Sequence, residues 1–216
     1  MTDALNFFLL KKIKDVKIIN QPYPHFIIDD FFPQETYLYI LRNIPDESKY
    51  KPFVKSRLIM ELNKTSDINL KHITDILMSE EMKECLLEKY KNTMSKSIYQ
   101  HGKTGYIRGS LIKDFKGYSI KPHTDIETKI ITFLIYLPND DSLCHIGTNI
   151  LIKHDIINKF DLVDKFDFVD KVEFLPNRLF CFLRTFNSWH SVDEIEDDIC
   201  RNTINMQIHT DTKYLF

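Results

Sequence analysis

The sequence predicts an α+β fold with a mainly β core, in which a helix-bearing front half is followed by a strand-rich back half. Three observations carry this expectation. Apolar residues in the front half recur at three- and four-residue steps, as on one face of a helix. In the back half they form short continuous runs or alternate with polar residues, as strands do. All five glycines, at positions 102, 105, 109, 117 and 147, fall in one part of the chain, where they suit tight connections. With 216 residues, 43% of them hydrophobic, and sixteen phenylalanines, there is material for one sizeable core. We expect a single domain over 1–216, with a helical support region over 1–100 and the β core over 101–216.

Taken in order, Phe26, Ile27 and Ile28 read as a strand. Pro33 suits the first turn of a helix running to about Asn43, because a missing N–H costs nothing there. Ser79 supplies an N-cap hydroxyl for a longer helix, Glu80 to about Lys96, on which Met82, Leu86, Leu87, Tyr90 and Met94 form one buried stripe. Leu179–Leu183 is an unbroken apolar run, read as a buried strand. In Arg201–His209, Thr203, Asn205, Gln207 and His209 alternate with Ile204, Met206 and Ile208, the pattern of a strand with two unlike faces. Between these, Lys159–Asp164 and Lys165–Asp170 are near-copies, followed by Lys171–Phe174. Two units are too few for a solenoid. The segment reads either as a lid or substrate-recognition element with an acidic edge, or as a helix or hairpin insertion on the flank of the core.

A net charge of −2 offers no electrostatic case for nucleic acid or a membrane surface, so a small or peptide-like substrate is the expected partner. No apolar run approaches the ~20 residues of a membrane span, and Phe7–Leu10 is too short for a signal-peptide core. Cys85, Cys144, Cys181 and Cys200 show no C-x-x-C spacing and read as reduced thiols, which points to the cytoplasm.

The residues that carry chemistry are His123-Thr124-Asp125, the histidine of Ser188-Trp189-His190, and Arg201. Residues i and i+2 of a strand project to the same face, so His123 and Asp125 can reach one metal ion where a strand runs into its turn. A third ligand from elsewhere, His190, completes the two-imidazole, one-carboxylate facial set that holds non-haem Fe(II) and leaves positions open. Arg201 and Thr203 share a strand face, where a guanidinium fork and a hydroxyl can grip a carboxylate of a dicarboxylic co-substrate. An H-x-D alone recurs by chance. A second one, His209-Thr210-Asp211, lies where no later strand supplies a third ligand and reads as surface polar structure.

In this ordered set the chain resembles the 2-oxoglutarate- and Fe(II)-dependent dioxygenases, especially their prolyl-hydroxylase-like branch. The matching segments are Gly117–Asp125, Ile131–Pro138, Gly147–Leu151, Asn177–Phe182, Ser188–His190 and Arg201–Asn205, with a weaker match at Pro22–Pro33. The resemblance implies a double-stranded β-helix, a jelly-roll or cupin-like barrel with flanking N-terminal helices. It implies that His123, Asp125 and His190 bind Fe(II) and that Arg201 pairs with the distal carboxylate of 2-oxoglutarate, with Tyr136 and Thr203 as further contacts. For Tyr136 a core-filling strand aromatic is the competing reading. The activity implied is hydroxylation of an unactivated C–H bond by O2, coupled to conversion of 2-oxoglutarate to succinate and CO2, with ascorbate as a candidate accessory. Related halogenases lack the carboxylate ligand, so Asp125 favours hydroxylation. Relatives often carry a tyrosine where this chain has Phe115, which puts one co-substrate contact in question. The alternative function is a non-catalytic, cupin-like metal-binding sensor or scaffold.

Overall fold

The structure, a computed structural model, describes residues 2–157 and 162–211, with side chains over 4–154 and 165–211. Five helices, α1 (Thr2–Asp15), α2 (Gln34–Arg42), α3 (Ile68–Leu77), α4 (Glu80–Tyr90) and α5 (Lys96–Thr104), lie in the front half. The strands are β1 (His25–Ile28), β2 (Lys51–Val54), β3 (Arg57–Glu61), β4 (Tyr106–Phe115), β5 (Ile120–His123), β6 (Lys129–Tyr136), β7 (Thr148–Ile157), β8 (Leu162–Val172), β9 (Leu179–Leu183), β10 (His190–Val192) and β11 (Cys200–His209). They form a major sheet in the order β1-β9-β6-β11-β4-β3-β2 and a minor sheet in the order β5-β10-β7-β8. This is the expected double-stranded β-helix, built as two antiparallel sheets.

Strand alternation divides the major sheet into two faces. Ile131, Phe133 and Ile135 of β6 with Ile204, Met206 and Ile208 of β11 turn one way, into a core shared with Leu9 and Ile13 of α1, Ile73 and Leu77 of α3, and Leu86, Leu87 and Tyr90 of α4. The opposite face turns Arg201, Thr203, Asn205 and Gln207 toward the minor sheet and lines a cavity. The helices therefore back the sheet on the side away from that cavity, as the buried stripe of α4 anticipates.

Several boundaries differ from the sequence-based expectation. Pro33 is the N-cap of α2 rather than part of its first turn. The helix expected from Glu80 to about Lys96 is two helices: α4 ends at Tyr90, and Ser95 opens α5 by accepting from the Ile98 N–H at 3.2 Å. The break has a local cause, since the Thr93 hydroxyl donates to the Tyr90 carbonyl at 2.7 Å and competes with continued helix. The front half is also more than support, because β1 and β3 pair with β9 and β4 and satisfy edge groups those core strands would otherwise expose. Of the repeat, β8 pairs antiparallel with β7 in a long hairpin, which is the insertion reading; residues 159–161 lie outside the described part. Gly147 sits where a Cβ would fall 2.0 Å from the Val172 carbonyl oxygen, so the chain can only lead into that hairpin with glycine there.

Candidate metal centre

β5 ends on a histidine and β10 begins on one. The strands pair antiparallel with His190 directly opposite His123, which sets the two ring centroids 4.2 Å apart. Each ring turns Nδ1 to a backbone carbonyl two residues upstream, His123 to Lys121 at 2.9 Å and His190 to Ser188 at 3.0 Å. A carbonyl can only accept, so Nδ1 is the donor in both rings and Nε2 is the nitrogen left to face a metal. The turn that presents His190 is held by Ser188, whose hydroxyl donates to the Thr185 carbonyl at 2.9 Å and accepts from the Thr185 N–H at 3.1 Å.

Asp125 lies just past the end of β5 and is buried. Its backbone carbonyl accepts from Arg184 Nε at 3.0 Å, which fixes the turn. Its carboxylate takes Lys129 Nζ at 2.6 Å on Oδ1 and the Thr132 hydroxyl at 2.5 Å on Oδ2. Each carboxylate oxygen has two lone-pair sites, so one on each remains for a further partner. One ligand atom from each of His123, Asp125 and His190 lies within 4.8 Å of the others, and no other His, Cys, Asp or Glu group among the described residues is arranged this way. His209 of the second H-x-D instead meets the Gln207 side-chain oxygen at 3.0 Å.

The electrostatics suit a ligand set. Burial pushes the His190 imidazole down to about 4 against the pull of Asp125, so it is neutral, as a ligand must be. Burial works to raise Asp125, but Lys129 and His190, with the Lys129 and Thr132 hydrogen bonds, hold its carboxyl below the usual range. Two imidazoles and one carboxylate converging on one side is a donor set that fits Fe(II).

The other end of the same cavity is cationic. The cavity, about 110 Å³, is lined by His123, Asp125 and His190 and also by Arg201, Thr203 and Arg57. Arg201, 2% exposed, donates Nη1 to Asp114 Oδ2 and Nε to the Ile146 carbonyl, each at 3.0 Å, and its guanidinium lies 5.0 Å from the Phe174 ring. The Thr203 hydroxyl is buried without a hydrogen-bond partner. Such an orphan is costly, and a ligand oxygen would satisfy it. Tyr136 stands opposite Thr203 in the sheet, but its hydroxyl shares a 2.7 Å hydrogen bond with Thr148 Oγ1 and the side chain is fully buried. Of the pair, Thr148 reaches the cavity surface.

Four residues here escaped the motif reading: Arg57, Asp114, Lys129 and Thr132. Phe115 turns away from the cavity by strand alternation and its neighbour Asp114 faces inward, bonded to Arg57 Nε at 2.5 Å and Nη2 at 2.9 Å. A charged residue beside Ile112 in a strand was the available signal for Asp114; nothing local marks Arg57.

The fold has solved counterparts. A prolyl-4-hydroxylase from Pseudomonas putida superposes with a TM-score of 0.59 at 13% identity, over 94% of this chain and 99% of that one. Prolyl 4-hydroxylase from Phytophthora capsici gives 0.58 at 15% identity, over 95% of this chain and 65% of the other. A prolyl hydroxylase from Trichoplax adhaerens, in complex with a hypoxia inducible factor oxygen degradation domain peptide, gives 0.52 at 13% identity over 97% and 91%. The chain has the fold of the 2-oxoglutarate–Fe(II) oxygenases. No family model and no curated protein sequence matches it, so within this oxygenase fold the likeness is carried by architecture. No helix among the described residues is long and apolar enough to cross a membrane.

Proposed function

We propose that this protein is an Fe(II)- and 2-oxoglutarate-dependent oxygenase that hydroxylates an unactivated C–H bond of a small-molecule or peptide substrate. The observation that carries the reading is one cavity with a His123–Asp125–His190 ligand set at one end and a buried Arg201 beside an unsatisfied Thr203 hydroxyl at the other. A keto diacid has matching ends: a chelating 2-oxo carboxylate for the metal and a distal carboxylate for Arg201. Bound iron would supply oxidation of the co-substrate by O2 to succinate and CO2, coupled to substrate hydroxylation.

The chain's own part is positioning. Lys121 and Ser188 carbonyls orient the imidazoles, while Lys129, Thr132 and Arg184 fix Asp125 from behind. Arg201 and Thr203 set the distance of the distal carboxylate from the metal end, and Thr148, held from behind by Tyr136, forms part of the wall. The presence of Asp125 as a third protein ligand favours hydroxylation over halogenation. The peptide held by the Trichoplax relative makes a peptide one substrate class to screen, alongside free amino acids and sugar-like metabolites. Four free cysteines suit a reducing, cytoplasmic setting.

The test is anaerobic titration of the metal-free protein with Fe(II) and then 2-oxoglutarate, watching for the weak visible band of a chelated 2-oxo acid. The band is expected in wild type and absent in His123→Ala. Iron binding without the band would favour the non-catalytic sensor or scaffold, and ascorbate enters only in the later turnover assay.

A further inference from the structure

The distal end of the cavity holds more charge than one arginine. Arg57 on β3, Asp114 on β4 and Arg201 on β11 are direct cross-strand partners on three adjacent strands. Asp114 is completely buried and takes a bidentate fork from Arg57 and a third N–H from Arg201 Nη1. Arg57 also stacks on Tyr118, its guanidinium carbon 4.0 Å from the ring centroid, which fixes the plane of the fork. Arginine does not deprotonate in proteins. Two guanidiniums against one carboxylate leave one positive charge uncompensated. At the other end Lys129 is already paired with Asp125.

Arg201 is buried, Arg57 keeps 15% of its side chain exposed, and both share the one Asp114 carboxylate, so the pocket they line carries a net positive charge and suits one anionic group. We propose that Arg57 is the second half of the distal-carboxylate site, so that a 2-oxo diacid is held by a pair of arginines bridged by Asp114. This rests on reading the cavity as a 2-oxoglutarate site, and it adds a residue contributed by the front half of the chain. Asp114 is a positioning residue: it takes the Nε and Nη2 edge of Arg57 and Nη1 of Arg201, which leaves Arg57 Nη1 and Arg201 Nη2 for a ligand, and it lowers the mutual repulsion of the two guanidiniums. The pair makes the site selective for a diacid over a 2-oxo monoacid of the same length, which would leave the extra charge unanswered.

The experiment compares 2-oxoglutarate with 2-oxovalerate, which has the same carbon count without the distal carboxylate, binding anaerobically to Fe(II)-loaded wild type, Arg57→Gln and Arg201→Gln. Affinity is read from the visible band, and the fold of each variant from circular dichroism. Loss of one charge-assisted hydrogen bond of about 1.5–3 kcal/mol corresponds to about a 10- to 150-fold weaker Kd. Arg57→Gln is expected to weaken 2-oxoglutarate by that factor and leave 2-oxovalerate unchanged, so that the two ligands converge. Should Arg57→Gln not fold, Arg57→Lys is read instead; it keeps the charge, loses the fork, and is expected to weaken 2-oxoglutarate alone by several-fold. Unchanged 2-oxoglutarate affinity in a folded Arg57 variant, with the expected loss in Arg201→Gln, overturns the two-arginine site while the oxygenase reading stands. Equal weakening of both ligands also overturns it, as a merely structural role for Arg57. Wild-type protein that shows the band with neither ligand defeats the oxygenase reading and this inference together.

Discussion

At the residue scale the site depends on what each polar atom is bonded to. Thr203 is the clearest case, because its hydroxyl is buried with nothing to bond. Thr203→Val keeps the shape and removes the orphan. We expect its thermal stability to equal or exceed wild type by up to about 1 kcal/mol, with 2-oxoglutarate bound about 2- to 13-fold more weakly, the worth of one neutral hydrogen bond. Calorimetric unfolding and the anaerobic titration check the two halves, and a destabilised variant with unchanged affinity would show that the hydroxyl serves the fold. His209 provides a pH signature outside the metal site. Burial, then Lys129 and Arg108, lowers its imidazole to about 4. A folded value below the unfolded one of about 6.5 favours the neutral ring in the fold, so this stability is complete above pH 6.5 and is lost as pH falls toward 4. Metal-free wild type is expected to lose roughly 1–3 kcal/mol more than His209→Gln across that window; parallel denaturation curves for the two proteins would remove the assignment.

At the element scale, legibility followed local information. The β11 alternation and the continuous β9 run were readable because a strand's faces are written at period two. The end of α4 was not, because Lys91–Ser95 contains helix-compatible residues whose side-chain bonds to backbone only form in context. Ser95 now has a defined task. Ser95→Ala is expected to cost about 1 kcal/mol through loss of the α5 cap, detected as a lower urea midpoint with an unchanged slope. A midpoint equal to wild type would mean that α5 is held by packing of Ile98 and Tyr99 alone. β2 and β3 were invisible for another reason: β2 is exposed along its length and carries Pro52, so neither burial nor propensity marks it, and only pairing to the β4 ladder through β3 makes it a strand.

At the scale of the whole molecule, the major sheet separates the hydrophobic core from the cavity. Helices cover one face, and the cavity lies on the other. The candidate ligands come from the minor sheet and the turn after β5, and Asp125 ties that sheet to β6 through Lys129 and Thr132. A divalent ion such as Co(II) at about 100 times its Kd is expected to add about 2.7 kcal/mol to unfolding, read as a rise in Tm that His190→Ala lacks. A rise of equal size in His190→Ala would place the stabilising ion elsewhere.

The sequence by itself singled out His123, Asp125 and His190, which sit in short motifs and whose ligand atoms the fold brings within 4.8 Å of one another, and it singled out Arg201, which lines the same cavity. It also determined the mixed α+β character, since periodicity is a local property. Only the tertiary structure decided which charged residues stand beside Arg201. Arg57 and Asp114 lie far apart in the chain and meet through the register of β3, β4 and β11, and Tyr136 is committed to Thr148 by a contact between two sheets. Charge balance in a buried cavity is a sum over residues brought together by folding, and no single stretch of sequence contains it.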